Sequence, residues 1–276
     1  MSELTAASDP IRSCAARLAD AELNRRPMEP LTALFPGLSV SDAYRIQRAN
    51  IERRTQQGER IVGHKVGLTS RAMQELFGVN EPDFGHLLET MVHDPRRPLD
   101  LATLIDPQIE VEPAFYLERR LAGPGVTAAD ALTATGFVSM CFEIIDSRII
   151  DWRIRIQDTV ADNGSSARLV LSPQKLRPAT LELGKLEATL SLDGVEVASG
   201  NTAAILGHPA NGVAWLANKL AEFGLALEPG EIVLPGTCMR SCRLAGHRSA
   251  TGRIAGLGEI ALALANRPAV VKAGQS

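Results

Sequence analysis

Two segments of this 276-residue chain set the strictest terms for its fold. Ile109-Glu110-Val111-Glu112-Pro113-Ala114-Phe115-Tyr116-Leu117 alternates with the period of a strand. Ile109, Val111, Pro113, Phe115 and Leu117 share one face, and Glu110 and Glu112 share the other. Two carboxylates at i and i+2 on a strand stand roughly 6–7 Å apart and point the same way. The second segment, Val138-Ser139-Met140-Cys141-Phe142-Glu143-Ile144-Ile145, is an apolar core-strand run with one acid in it. A buried, unpaired carboxylate is costly unless its pKa shifts. A hard divalent cation held by oxygen ligands removes that cost for all three acids at once. The plainer account of Glu110 and Glu112 is a solvated acidic face that Glu118 extends. Glu143 weighs against it, because its neighbours belong inside.

The spacing predicts helices in the first part of the chain. Ser8-Asp9-Pro10 starts one, with Ile11, Cys14, Ala15 and Leu18 at helical intervals. Residues 24–37 read as a loop. Ser41-Asp42 opens a second helix through Tyr44, Gln47 and Ile51, and Gly58 ends it. Residues 61–68 alternate like a strand. Thr69 then caps a short helix carrying Met73, Leu76 and Phe77, closed by Gly78. Leu186 to Val197 reads as a hairpin turning at Asp193-Gly194. His208-Pro209 begins a helix with Val213, Leu216, Leu220 and Phe223. Glu231 to Leu234 and Arg253 to Leu264 are strand-like. Strands dominate from about residue 100 onward, which predicts an α+β fold with a sheet core and not a regular βαβ repeat. Length allows one large domain or a main domain with a small appendage, and the pattern divides residues 1–60, an N-terminal helical portion, from 61–276, a β-rich domain, within one structural unit.

Composition narrows the partners. The net charge of −3 lacks the basic footprint that nucleic acid or an anionic membrane surface requires. No apolar run reaches membrane-spanning length, and Met1-Ser2-Glu3-Leu4-Thr5 has no signal pattern, so the expected location is the cytoplasm. Cys14, Cys141, Cys238 and Cys242 lack zinc-ligand spacing and read as reduced structural thiols. The histidines form no H-x-H or H-E-x-x-H pattern, and no phosphate loop, G-x-G-x-x-G or G-x-S-x-G is present.

Other residues have chemistry open to them. Lys65 shares a strand face with Gly63 and Gly67, which predicts open space around its ammonium. A surface lysine on an edge strand is the equal alternative. Asp83, in Pro82-Asp83-Phe84-Gly85, is by itself a turn residue. Asp162-Asn163-Gly164-Ser165-Ser166 is a turn cluster leading into a strand. Its N–H groups and hydroxyls can bind an oxyanion or simply hold the loop. Asp146-Ser147-Arg148 and Asp151-Trp152 carry charges that can tie a loop to the body.

Taken together, Gly63-His64-Lys65-Val66-Gly67-Leu68-Thr69-Ser70, Glu81-Pro82-Asp83-Phe84-Gly85, Ile109-Glu110-Val111-Glu112, residues 142–149, Val160-Ala161-Asp162-Asn163-Gly164-Ser165-Ser166 and Leu206-Gly207-His208-Pro209 occur in a telling order. From about residue 8 to 265 the chain resembles the 2-keto-4-pentenoate hydratase and 4-oxalocrotonate decarboxylase family, within the fumarylacetoacetate hydrolase superfamily. The resemblance implies a mixed β-roll or sandwich core of the fumarylacetoacetate hydrolase C-terminal type behind an N-terminal helical portion. It implies a homo-oligomer, with association with other pathway enzymes open. It implies Mg2+ or Mn2+ on Glu110, Glu112 and Glu143, and Lys65, Asp83 and Ser165 lining the substrate site. Ser166 and Arg240 are the further substrate-binding candidates.

The activity so implied is addition of water to a 2-hydroxy-2,4-dienoate, giving a 4-hydroxy-2-oxo acid in aromatic ring-cleavage catabolism. Asp83 favours this branch, because water addition needs an acid/base and decarboxylation does not. Ser165-Ser166-Ala167-Arg168 leans toward the decarboxylases. A C–C hydrolase of the same superfamily, which wants a histidine–acid pair, and a non-catalytic binding subunit are the remaining alternatives. Gly164 stands where the family usually has alanine. Gly246-His247 replaces the usual Gly-Asp, and Pro235 to Cys242 is unusual, so substrate identity is less fixed than metal use.

Overall fold

A computed structural model describes residues 9–265. Ser8 and the N-terminal segment Met1–Thr5 lie outside the described residues. Helix α1 (Pro10–Asn24) is capped by Asp9, whose carboxylate accepts from the Ile11 N–H at 3.1 Å. Its buried stripe is Cys14, Ala15, Leu18 and Ala21. Helix α2 (Val40–Gln56) starts ahead of the expected Ser41. The reason is reciprocal capping: Ser39 Oγ accepts from the Asp42 N–H, and the Asp42 carboxylate accepts from the Ser39 N–H. Within the stretch expected to be loop, Leu31–Leu34 forms one helical turn. It is pinned because Leu31 is fully buried and Thr32 donates twice to the Asp158 carboxylate.

Strand β1 (Ile61–Gly67) leads to α3 (Arg71–Phe77), β2 (Asp83–Leu88), β3 (Gln108–Leu117) and β4 (Thr135–Ile145). The cap of α3 is Ser70 and not Thr69. Then come α4 (Ile156–Ala161), β5 (Ser166–Leu171), the hairpin β6 (Glu187–Leu192) and β7 (Val195–Asn201), and α5 (Pro209–Ala221). His208 caps α5 as expected. Strands β8 (Ile232–Leu234), β9 (Ser249–Ile254) and β10 (Gly258–Ala265) complete the chain. The run expected over Arg253 to Leu264 is thus a hairpin, turned at Gly256 with a φ of 81°. In the β6–β7 hairpin Asp193 and Gly194 both have positive φ, which lets a two-residue turn match the strand twist.

The strands form two sheets. An eight-stranded sheet runs β2-β1-β8-β3-β4-β5 and ends on Val92–His93, with Cys242–Arg243 also paired to β3. A five-stranded sheet runs Leu99–Asp100, β10, β9, β6, β7. The main core fills the space between them. Val111 and Phe115 of β3 and Met140 and Phe142 of β4 belong to one buried cluster with Leu190, Ala250 and Leu262 of the smaller sheet. Gly252 lets the two sheets approach closely, since a Cβ there would sit 2.3 Å from Phe142 Cε1. Cys14, Leu18, Tyr44 and Ile46 of the N-terminal helices join the same cluster. The fold is α+β, as the strand-rich pattern predicts. No described helix is long and apolar enough to cross a membrane.

Candidate active site

The two acidic strands are immediate neighbours. Strands β3 and β4 pair antiparallel with Glu110 opposite Glu143 and Glu112 opposite Cys141. Opposite residues share a face, so all three carboxylates project away from the main core. Each offers an oxygen, and these lie within 4.8 Å of one another. Glu143 is fully buried, and neither of its oxygens has a hydrogen-bond partner. Glu112 is buried and accepts from the Gly236 N–H at 3.1 Å. Glu118 does not extend this face. It lies beyond the end of the strand and pairs with Arg177 at 3.3 Å. Ala114 and Tyr116 continue the face instead.

Lys65 resolves toward the site and away from the surface. It is 5% exposed, and its Nζ lies 3.6 Å from Glu143 Oε1. Its flanking glycines do not leave open space; they admit close neighbours. A Cβ on Gly63 would meet the Ile232 carbonyl oxygen of β8 at 1.9 Å. One on Gly67 would meet Asp83 Oδ1 at 2.2 Å. Asp83 is the first residue of β2, buried, and opposite Gly67 in register. Its Oδ1 has no hydrogen-bond partner.

The turn before β5 supplies the third group. Asn163, Gly164 and Ser165 all have left-handed φ, at 57°, 60° and 56°. Ser165 is buried, and its hydroxyl donates to Asp162 Oδ2 at 3.3 Å. Asp162 is anchored in turn by a buried ion pair with Arg148. Burial pushes Asp162 up to about 6, with Arg148 acting against it. The charges around residue 148 therefore tie the loop to the body.

Lys65, Asp83, Glu110, Glu112, Ser165 and Arg240 line one cavity of about 1170 Å3. Glu143 lies beneath it against Lys65. Ser166 is not in this wall. It lines a small separate cavity with Arg148 and Asp162, and its hydroxyl has no partner. Ser165 closes the turn with a left-handed φ and Ser166 opens β5, and the two hydroxyls fall in different walls. Arg240 is exposed and donates to the Val197 carbonyl of β7. The sequence pattern does not single out Trp152 and Arg155 as wall residues, nor the Gly236 N–H as a partner of Glu112, yet the fold brings all three to the site.

The electrostatics come from crowding four acids around one base. Burial would lower the Lys65 ammonium, but Glu143, Asp83, Glu110 and Glu112 outweigh it and hold the pKa above the usual lysine value. Burial raises Asp83, Lys65 opposes this, and the Glu143 charge adds to it. Burial and the Glu143 charge push Glu110 up to about 7. Glu112 is raised by burial, then by Glu143 and Glu110. One ammonium cannot satisfy four carboxylates. The two orphaned oxygens of Glu143 and the all-oxygen donor set fit a hard divalent cation. Among the described residues lining the cavity there is no histidine. His64 and His86 face the opposite side of β1 and β2, with ring centroids 4.9 Å apart. The histidine–acid pair that a C–C hydrolase wants is therefore not in this wall.

Comparison with known proteins bears on the same residues. Residues 79–274 match the fumarylacetoacetate (FAA) hydrolase C-terminal family. The chain is 42% identical to a 2-keto-4-pentenoate hydratase of Burkholderia vietnamiensis (strain G4 / LMG 22486), over 91% of this chain and 95% of that one. It is 44% identical to a 2-hydroxyhexa-2,4-dienoate hydratase of Comamonas testosteroni, over 80% and 84%. Among solved structures it is similar to 4-oxalocrotonate decarboxylase from Pseudomonas putida G7 complexed with magnesium and adipate. There the TM-score is 0.90 at 32% identity, covering 95% of this chain and 99% of that one. These matches span the strands that carry the carboxylates and the cavity above them, and the chain belongs to the 2-keto-4-pentenoate hydratase and 4-oxalocrotonate decarboxylase family of the fumarylacetoacetate hydrolase superfamily.

Proposed function

We propose that this protein is a divalent-metal-dependent hydro-lyase that adds water to a 2-hydroxy-2,4-dienoate and yields a 4-hydroxy-2-oxo acid in aromatic ring-cleavage catabolism. The observation that carries the reading is a buried acid, Asp83, at the edge of a three-carboxylate cluster that also holds Lys65. Hydratase relatives at 42% and 44% identity support it. Glu110, Glu112 and Glu143 would hold Mg2+ or Mn2+. When bound, the cation supplies Lewis-acid charge to the C1 carboxylate and C2 oxygen of the substrate.

The chain's own groups carry the proton chemistry. The Lys65 ammonium neutralises the substrate carboxylate at the inner end of the cavity. Asp83, raised by burial, gives a proton to C5 as the C2 hydroxyl releases its own to cavity water, leaving a 2-oxo-3-enoate. The resulting Asp83 carboxylate then takes a proton from the water whose oxygen joins C4, and the proton released earlier from the C2 hydroxyl returns from cavity water to C3. Ser165, held by Asp162, donates a hydrogen bond to the substrate. The site works in the cytoplasm within a homo-oligomer under this reading.

Incubation with Mg2+ and 2-hydroxypenta-2,4-dienoate tests it. Loss of dienoate absorbance with formation of a 4-hydroxy-2-oxo acid is expected. Carbon dioxide release from 2-oxohex-3-enedioate, without hydration of the dienoate, would move the assignment to the decarboxylase branch.

Cation affinity should depend on pH with a definite sign. Glu110 is held up to about 7, so below that pH a proton competes for its oxygen. Mn2+ affinity, followed by electron paramagnetic resonance, should fall as pH drops through 7, by up to about tenfold per unit for one displaced proton. Constant affinity between pH 5.5 and 8 would refute this. Without cation the stability trend has the opposite sign. The folded protein keeps the Glu110 proton from its ordinary value of 4.5 up to about 7, while the unfolded chain releases it. Folding stability from this group is therefore lost as pH rises across that window.

A further inference from the structure

Strand β2 is an edge strand, paired with β1 on one side only. At His86 its outward N–H and C=O are nevertheless satisfied. The Asn163 side-chain carbonyl accepts from the His86 N–H at 2.8 Å, and the Asn163 amide donates to the His86 C=O at 2.9 Å. The side-chain amide thus takes the place of a neighbouring strand's peptide group. Asn163 is also the first of three consecutive left-handed residues, a run that backbone sterics disfavour at the two non-glycine positions.

Immediately after Asn163 the chain enters the site. A Cβ on Gly164 would lie 3.0 Å from Lys65 Cε, so the turn packs on the lysine stem. Ser165 then reaches the cavity. On the other side, a Cβ on Gly85 would sit 2.5 Å from the Asn163 carbonyl oxygen. Gly85 lies opposite Lys65 in register, two residues after Asp83. Lys65, Asp83 and Ser165 come from three separate elements. Asn163 is where two of those elements are joined by hydrogen bonds and the third is packed against.

We infer that Asn163 is a positioning residue: its side-chain amide closes the free edge of β2 at His86 and so sets the distances among Lys65, Asp83 and Ser165. This rests on the reading of those three as the reacting groups. The carboxylate cluster is built on β3 and β4, whereas the Asn163 amide bonds to β2, so the clamp touches none of the three carboxylates directly.

The test is Asn163→Ala in the full chain with three readouts. Hydrogen exchange of the backbone over residues 83–88 should be at least tenfold faster than in the wild type. The kcat for dienoate hydration should fall ten- to a hundredfold. The dissociation constant for Mn2+ should stay within twofold, which a globally damaged protein would not manage. If the alanine variant does not fold, Asn163→Asp keeps the volume and the acceptor but loses the donor to the His86 carbonyl, and the same three measurements apply. Unchanged exchange over 83–88 overturns the inference, as does faster exchange with turnover within twofold of wild type. A parallel loss of Mn2+ affinity also overturns it. A wild-type protein that hydrates no dienoate would instead fail the functional reading, and the exchange result would still report whether the clamp closes the edge.

Discussion

Glu143→Gln is expected to abolish cation binding and, with it, turnover. The side chain is fully buried, both of its oxygens lack hydrogen-bond partners, and Lys65 is its nearest counter-charge at 3.6 Å. It stands directly across from Glu110 and is the more buried of the two. An amide there offers one neutral oxygen in place of a charged carboxylate, and so binds a hard cation more weakly. Mn2+ affinity should drop at least about a hundredfold, because removing a charged ligand costs more than disturbing the groups that merely orient ligands, themselves worth about 10–100-fold. The loss must be separated from unfolding. Glutamine keeps the volume, so the main core on the other side of the sheet is untouched. Added Mn2+ should raise the melting temperature of the wild type, since a ligand at about a hundred times its Kd contributes about 2.7 kcal/mol. The same addition should leave Glu143→Gln unmoved. A variant that binds Mn2+ like the wild type would remove Glu143 from the metal site.

Asp83→Asn is expected to lose chemistry while keeping the cation. Its carboxyl fills the space left by Gly67, and asparagine is close to isosteric, so the contact between β1 and β2 survives. What disappears is a group able to give and take a proton, a contribution typically worth about 10^2–10^4 in rate. The kcat for dienoate hydration should fall by that amount, with Mn2+ affinity within a few-fold of wild type. Hydration within tenfold of wild type would take the acid/base role away from Asp83. Carbon dioxide release from 2-oxohex-3-enedioate that survives the substitution would mark that reaction as one this acid does not serve.

The amino-acid pattern reaches unevenly into this site. Strand alternation suffices for Glu110 and Glu112 to share a face and for Glu143 to be inside. Their register does not follow from alternation, because either strand can slide by two residues without turning a side chain over. Lys65 stays ambiguous in sequence because its burial comes from Ile232–Leu234 and Asp83, both distant along the chain. Asp83 and Ser165 look like ordinary turn residues by composition. Their placement comes from the resemblance and then from geometry. Ser166 reads as a partner of Ser165 at the substrate, yet it lines the neighbouring cavity beside Arg148. The helix caps fall on Ser39 and Ser70, not on Ser41 and Thr69, because nearby hydroxyl residues compete for one capping role. The Asn163 clamp leaves no periodic trace, since a side-chain amide pairing with a distant backbone is a tertiary event.

Strand order has a consequence for biosynthesis. Glu110 and Glu143 are paired as soon as β3 and β4 have formed, but β1, which carries Lys65, reaches β3 only through β8 at residues 232–234. A ribosome moving from the N-terminus therefore exposes three mutually repelling acids long before it releases the strand that brings in their ammonium. The Gly236 N–H on Glu112 arrives later still. A nascent or truncated chain ending before residue 232 would hold the acids without the strand that docks their counter-charge. In such a chain a divalent cation on the three carboxylates would stand in for the ammonium that has not yet docked.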